Sequence, residues 1–203
     1  RSRLELARRE IDDPARVAAE LDIAQRSLER LSHLSTNLLE LARIDEGGPT
    51  STHLSNGRQL EEATLDVIDS ARLLSADRRI DIEHTIAIDP TITVGIDATS
   101  FSRIVENLLS NALKYNDKAD KRVEVGYVSI EETSLRTQFP AAAEKQLVYF
   151  VRDNGIGIAA RHFDQVFKMF KRLHGRDEYG GGSGAGLTIV RKLVERHHGH
   201  VWL

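Results

Sequence analysis

The sequence predicts an α+β chain: an N-terminal helical hairpin, then a domain with a mixed sheet backed by three helices. Three observations point there. A heptad-spaced apolar seam runs from Leu21 to Ala42. Ile80, Ile82, Ile86 and Ile88 alternate as in an amphipathic strand. Two glycine-rich stretches, Asp153-Asn-Gly-Ile-Gly-Ile158 and Gly180-Gly-Gly-Ser-Gly-Ala-Gly-Leu187, respectively follow a buried apolar run and open a helix-spaced one.

In the hairpin, Asp12-Asp13-Pro14 stops one helix and starts the next, with Asp13 as N-cap and Pro14 at the first helical position. Running to about Arg43, the second helix would be ~45 Å long. Its seam of Leu21, Ala24, Leu28, Leu31, Ser35, Leu38 and Ala42 is widened by Leu34, Leu39 and Leu41, and Leu4, Ala7 and Ile11 keep similar spacing before it. Two helices with so broad an apolar face cannot hide it as a hairpin, so a second copy completing a four-helix bundle is expected. Residues 47–50, Gly-Gly-Pro-Thr, read as a hinge that separates the hairpin (1–46) from the second domain (51–203).

That domain begins with a helix marked by Leu60, Thr64, Val67, Ala71 and Leu74, followed by the isoleucine strand and a second one through Ile92, Val94 and Ile96. Phe101, Ile104, Val105, Leu108, Leu109 and Ala112 make the segment 97–116 a core-packed helix. Val123 to Ile130 and Leu147 to Val151 read as strands, the latter ending at Arg152. Leu187, Val190, Leu193 and Val194 mark the last helix, and Val201-Trp-Leu203 starts a further strand.

Composition narrows the function classes. A length of 203 residues holds one medium domain plus a smaller element. At 40% hydrophobic and 29% charged, the chain is neither disordered nor of low complexity. A net charge of −3 gives no reason to expect nucleic acid or an anionic membrane as partner. The absence of cysteine excludes disulfides and Cys-based metal sites and fits a cytoplasmic location. No apolar run approaches the ~18 residues of a membrane span. Arg1 is not preceded by Met, so the chain reads as an excised piece, with any anchor or sensory domain outside it.

The glycine stretches suggest a nucleotide site with separate ends. Asp153, a carboxylate at a strand end, can face the amino group of a flat base. A glycine loop feeding a helix N-terminus exposes backbone N–H groups to phosphate. Neither stretch is a P-loop, because no Gly-Lys-Ser/Thr follows, and the dinucleotide fingerprint fails on spacing. Asn107, Asn111 and Lys114 lie at i, i+4 and i+7, a stripe roughly 60° wide and more than 100° from the apolar face. Such a stripe is either a solvated polar face or a set of amide oxygens for Mg²⁺ with a lysine for phosphate.

Taken in order, these segments resemble the nucleotide-binding domain of sensor histidine kinases, in the superfamily of Hsp-type chaperones, gyrases and mismatch-repair ATPases. Asn107-Leu-Leu-Ser-Asn-Ala-Leu-Lys-Tyr115 is similar to its N box, Asp153-Asn-Gly-Ile-Gly157 to G1, Phe163 to Phe170 to the F box, and Gly182-Ser-Gly-Ala-Gly-Leu187 to G2. Phe170-Lys-Arg-Leu-His174 and Glu195-Arg-His-His-Gly-His-Val-Trp202 resemble bacterial phytochrome-like and PAS-linked members. The resemblance implies a Bergerat-type α/β sandwich, with ATP on the helical side of the sheet. It further implies that Asp153 accepts from adenine and that Gly155 and Gly157 let backbone approach the base. Asn111 with Asn107 would place Mg²⁺, and Lys114 and Arg172 would neutralise phosphate, making Asn107, Lys114 and Arg172 the catalytic set. Tyr115 and Leu187 join the nucleotide-binding set. Gly182, Gly184 and Gly186 form the lid end, with Phe167 and Phe170 anchoring its other side.

The implied activity is transfer of the ATP γ-phosphoryl to a bundle histidine, for relay to a response-regulator aspartate, in a homodimer. Hydrolysing members of the superfamily carry Glu four residues before the Mg-ligating Asn. Asn107 stands there and cannot be a general base at neutral pH, while Glu106 is about 100° off the stripe. This speaks against a chaperone- or topoisomerase-type ATPase. A non-catalytic ATP-binding scaffold is the other rival, and the completeness of the motifs speaks against it. The hairpin resembles the kinases' dimerisation region, yet no His-acid-x-x-Thr/Asn-Pro segment occurs in it. His33 has Asn37 at +4 but Leu34 where the acid belongs and no following Pro, so the acceptor is expected upstream of Arg1. His197, His198 and His200 are read as capping a helix C-terminus rather than holding a metal.

Overall fold

A computed structural model of the chain describes residues 14–45, 54–74, 80–86, 88–129, 147–173 and 183–203. The helix before Asp13, the hinge at 47–50 and Gly182 lie outside the described residues. Helix α1 (Pro14–Asp45) opens on the proline, whose missing N–H costs nothing in a first turn. Then come β1 (Ser55–Asn56), α2 (Gly57–Leu74), β2 (Ile80–Thr85), β3 (Thr93–Val94) and α3 (Ala98–Lys114). Strands β4 (Lys121–Ser129) and β5 (Leu147–Asp153) precede a 3₁₀ turn (Ala160–His162), the short α4 (Phe163–Val166) and α5 (Gly186–Arg196).

The sheet runs β2-β4-β5, with β2 parallel to β4 and β4 antiparallel to β5, so it is mixed as expected. The parallel pair requires a crossover, and α3 lies within it. Ile82, Val123 and Val125 bury one sheet face against Leu60 and Ile68 of α2, Val105 and Leu109 of α3, and Ile189 and Val190 of α5. At about 25 cal/mol per Å² of apolar surface, this layer between sheet and three helices is the main stabilising term.

Three elements depart from the sequence expectation. The isoleucine strand ends at Thr85, where the chain turns back with Ile88 N–H donating to Ile86 O at 2.6 Å, yet Ile86 and Ile88 stay buried. The second strand shrinks to Thr93–Val94, paired with Ser55–Asn56, because the loop before it folds over the start of α2. A Cβ at Gly57 would overlap the Asp89 carbonyl there, so only glycine allows that crossing. Period-2 burial thus came from loops as well as from strands. Val201–Leu203 form no strand: Val201 tucks against the core, and Trp202 and Leu203 are partly exposed.

The C-terminal turns of α1 dock on α5, with Leu41 buried in the common core. Its N-terminal part holds out Leu21, Leu28, Leu31 and Leu38, each 45% exposed or more. Among the described residues no helix is long and apolar enough to cross a membrane.

Candidate nucleotide site

Helix α3 carries one end of the site on its polar stripe and the other at its C-terminus. Asp97 caps its start, accepting from Ser100 N–H at 2.8 Å. Asn107 and Asn111 are half-buried on the side facing α5. Asn107 Nδ2 donates to the Arg103 carbonyl at 2.8 Å, which leaves its Oδ1 turned toward Gly186. A Cβ on Gly186 would lie 2.8 Å from that oxygen and 3.7 Å from Asn111 Nδ2, so any larger residue at the start of α5 would displace the Asn107 carboxamide. Two carboxamides therefore face a helix N-terminus whose cap, Ala185, makes no side-chain capping bond. Glu106 points elsewhere, paired with Arg103 at 3.0 Å on the wall of an 860 Å³ cleft between α1, α2 and α3. That cleft is lined by none of the sequence-predicted site residues, so the chemistry of the stripe outweighs the size of the cavity in locating the site.

At the other end, β5 extends one residue further than the apolar run suggested, so Asp153 is its last residue, opposite Val123. Asp153 Oδ1 accepts from Gly155 N–H at 2.8 Å, forming a tight turn. A Cβ on Gly155 would overlap the Tyr115 carbonyl, which accepts from Ile156 N–H at 3.1 Å. Gly157 has φ +70° with open space where a Cβ would stand, so it is conformation rather than crowding that favours glycine there.

Two residues that sequence reasoning passed over join these ends. Asn116 is buried, and its Nδ2 donates to Asn154 Oδ1 at 2.8 Å. Asn154 Oδ1 also accepts from Arg122 N–H at 2.9 Å, and Asn154 Nδ2 donates to the Asp120 carbonyl at 3.1 Å. The amide pair thus bolts the C-terminus of α3 to the turn after Asp153. The signal available was an asparagine directly after each motif's key residue.

Two cations gather near the C-terminal turn of α3. Lys114 is held below the ordinary lysine range, first by burial and then by the charge of Arg172, so the fold faces both groups on one space. Its Nζ lies 5.2 Å from the Tyr115 ring centre. Arg172 also packs on the glycine segment: a Cβ at Gly184, φ +69°, would meet Arg172 Cγ at 3.1 Å.

The aromatic pair divides. Phe167 is buried, its carbonyl accepting from Thr188 Oγ1 at 3.0 Å, while Arg191 lies 5.6 Å from its ring. Phe170 is half exposed, and its N–H donates to the Gly184 carbonyl at 3.1 Å with φ at +59°. Leu187 is half-buried in the first turn of α5.

The histidine cluster also differs from expectation. The carbonyls ending α5 are met by the backbone, with His198 at φ +60° and Gly199 N–H donating to Val194 O at 2.9 Å. The His197 ring turns away to Gly95 O, 2.9 Å from Nδ1, with Nε2 3.9 Å from Asp97 Oδ2. Burial works against the Asp97 carboxylate, but bonds from Ser100 and the nearby His197 hold it below its ordinary range. No cluster of three metal-ligating side chains occurs among the described residues.

Residues 96–203 match the model of the "Histidine kinase-, DNA gyrase B-, and HSP90-like ATPase" family. The chain is 36% identical to cyanobacterial phytochrome B of Nostoc sp. over 178 residues, 88% of this chain and 21% of that protein. It is 28% identical to sensor protein kinase WalK of Staphylococcus saprophyticus over 192 residues, covering 90% of this chain and 27% of the relative. The chain thus spans about a quarter or less of the length of these curated relatives. Among solved structures, full-length ShkA in complex with AMPPNP superposes with TM-score 0.64 at 20% identity, over 91% of this chain and 35% of that one. The mycobacterial sensor histidine kinase MprB superposes at 0.54 and 23% identity, over 74% and 83%. With its own motifs lying inside the matched region, the chain belongs to the family of histidine kinase-, DNA gyrase B- and HSP90-like ATPases.

Proposed function

We propose that the chain is the ATP-binding core of a protein-histidine kinase. One observation carries the reading: α3 presents Asn107 and Asn111 beside the start of α5, carries Lys114 near Arg172 one turn on, and ends in a polar bolt to the Asp153 turn. One rigid element thereby sets the spacing between a base-binding carboxylate and a phosphate-binding end. ATP binds with its adenine amino group donating to Asp153, and the glycine turn at 155–157 lies along the base. Lys114 and Arg172 neutralise the phosphates, and the N–H groups opening α5 donate to them. The residues fit Mg²⁺: carboxamide oxygens are hard ligands, Asn107 keeps Oδ1 free of intrahelical bonding, and substrate phosphates complete such sites. The ion supplies charge neutralisation for a transfer that depends mostly on positioning.

Tyr115, Gly155, Gly157, Phe167, Phe170, Gly184, Gly186 and Leu187 shape the nucleotide cleft in this reading, and Gly182 extends its lid. The γ-phosphoryl passes to a histidine on a helical bundle, from which a response-regulator aspartate takes it. Residues 1–46 form the dimerisation hairpin, 47–50 the hinge and 51–203 the catalytic domain, in a cytoplasmic homodimer. Names of relatives, sensor kinase and histidine kinase, support the reading, as does the placement of Glu106 away from the stripe, which leaves no carboxylate where the hydrolysing members hold theirs. Titration of labelled ATP and GTP tests it. Wild type should prefer ATP by roughly tenfold or more, the worth of one discriminating hydrogen bond, and Asp153→Asn should lose that preference. Equal affinity for both nucleotides in wild type removes Asp153 from the base site.

A further inference from the structure

Helix α1 reaches into the nucleotide site at one point. Asn37 Nδ2 donates to Ser183 Oγ at 2.8 Å across 146 residues of sequence, and both groups are part-buried. Ser183 Oγ in turn accepts from Ala185 N–H at 3.2 Å, and Ala185 is the cap of α5. The next residue, Gly186, is the one pressed against Asn107 Oδ1, while Gly184 O holds Phe170 N–H. A continuous line of contacts therefore runs from Asn37 through Ser183 and the start of α5 to the paired carboxamides of α3. Leu41, one turn along the same face of α1, is buried against the core, so the helix is held at the register that makes the contact.

We infer that Asn37 is a positioning residue of the nucleotide site: through Ser183 it fixes the phosphate-facing start of α5, and it couples the setting of α1 to ATP affinity. This rests on the ATP-site reading above. Ordering a loop before ligand arrives lowers the cost of binding, so loss of the contact weakens the phosphate end and spares the base end. Alanine is a better helix former than asparagine, so Asn37→Ala keeps α1 intact.

The test is a double-mutant cycle on the full chain, with Mg-ATP and adenosine each competed against a fluorescent nucleotide. Asn37→Ala and Ser183→Ala should each weaken Mg-ATP about fivefold, the worth of one ordinary hydrogen bond. The double variant should be no weaker than the worse single one, because both remove the same contact. Adenosine affinity should stay within twofold. Unchanged or tighter Mg-ATP binding in Asn37→Ala, additive losses, or an equal loss for adenosine overturns the inference while leaving the ATP site standing. A wild-type chain that binds no ATP overturns that reading and this inference with it.

Discussion

Lys114 shows how a single residue's environment sets its use. Burial and the neighbouring Arg172 both disfavour its ammonium, so its folded pKa lies below the ordinary 10.5. The consequence for stability has a definite sign. Below the depressed value, folded and unfolded chains are both protonated and the folded one bears the full penalty. As the pH rises through that value toward 10.5, the folded chain gives up its proton first and the penalty fades. In the proposed site a triphosphate beside Lys114 would reverse the bias and raise its pKa, so ATP binding should take up a proton in that alkaline window. Affinity measured against rising pH should fall by about tenfold as Lys114 deprotonates, the worth of a charge-assisted bond. Lys114→Arg keeps its charge throughout and should flatten that decline. An equal decline in Lys114→Arg takes Lys114 out of the phosphate end. The stripe that carries it was legible because i, i+4 and i+7 is a local spacing; its placement near Arg172 was not, since that brings together residues far apart in sequence.

Among the elements, α1 divides its labour along its length. Its last turns bury Leu41 in the common hydrophobic core, whereas Leu21, Leu28, Leu31 and Leu38 stand open to solvent over earlier turns. A row of leucines at heptad spacing is apolar area with no partner within the described chain, and two copies cover it most simply. Replacing Leu28 and Leu38 with Glu should therefore give a monomer by light scattering that binds ATP as wild type does, since the nucleotide residues lie on other elements. A dimer that persists in this variant moves the interface elsewhere. The heptad was readable in advance; which residue of α1 would turn inward to α5 was not, because Leu39 and Leu41 carry the same apolar signal and only docking separates them, at 59% and 4% exposure.

At the scale of the whole molecule, the proposed kinase chemistry would require a catalytic half and an acceptor half to meet. The ATP-site motifs are complete in the sequence, while the His-acid-x-x-Thr/Asn-Pro segment is absent, and His33 lacks its neighbouring residues. Phosphoryl transfer draws most of its rate from positioning, so a separately supplied acceptor can serve, slowly. Incubated with γ-labelled ATP, the chain alone should show no acid-labile label, whereas adding an acceptor-bearing helical bundle from a matching kinase should produce label on that bundle. Strong self-labelling that disappears in His33→Gln would place the acceptor on α1.

What the sequence by itself determined were the features encoded by short-range repetition: the apolar faces of α2, α3 and α5, the heptad of α1, the glycine at 157, and the order of the motifs that identifies the family. Each is fixed by helical or strand periodicity or by a conformational need of a single residue, and both can be read over a few positions. The tertiary structure alone decided the contacts between distant segments. Asn116 with Asn154, His197 with Gly95 and Asn37 with Ser183 are 38, 102 and 146 residues apart. A polar side chain carries no periodic signal about its partner, because one hydrogen bond is satisfied equally well by water until packing removes the water. The same holds for the isoleucines at 86 and 88, whose alternation marked burial correctly but could not say that a loop, rather than a strand, would bury them.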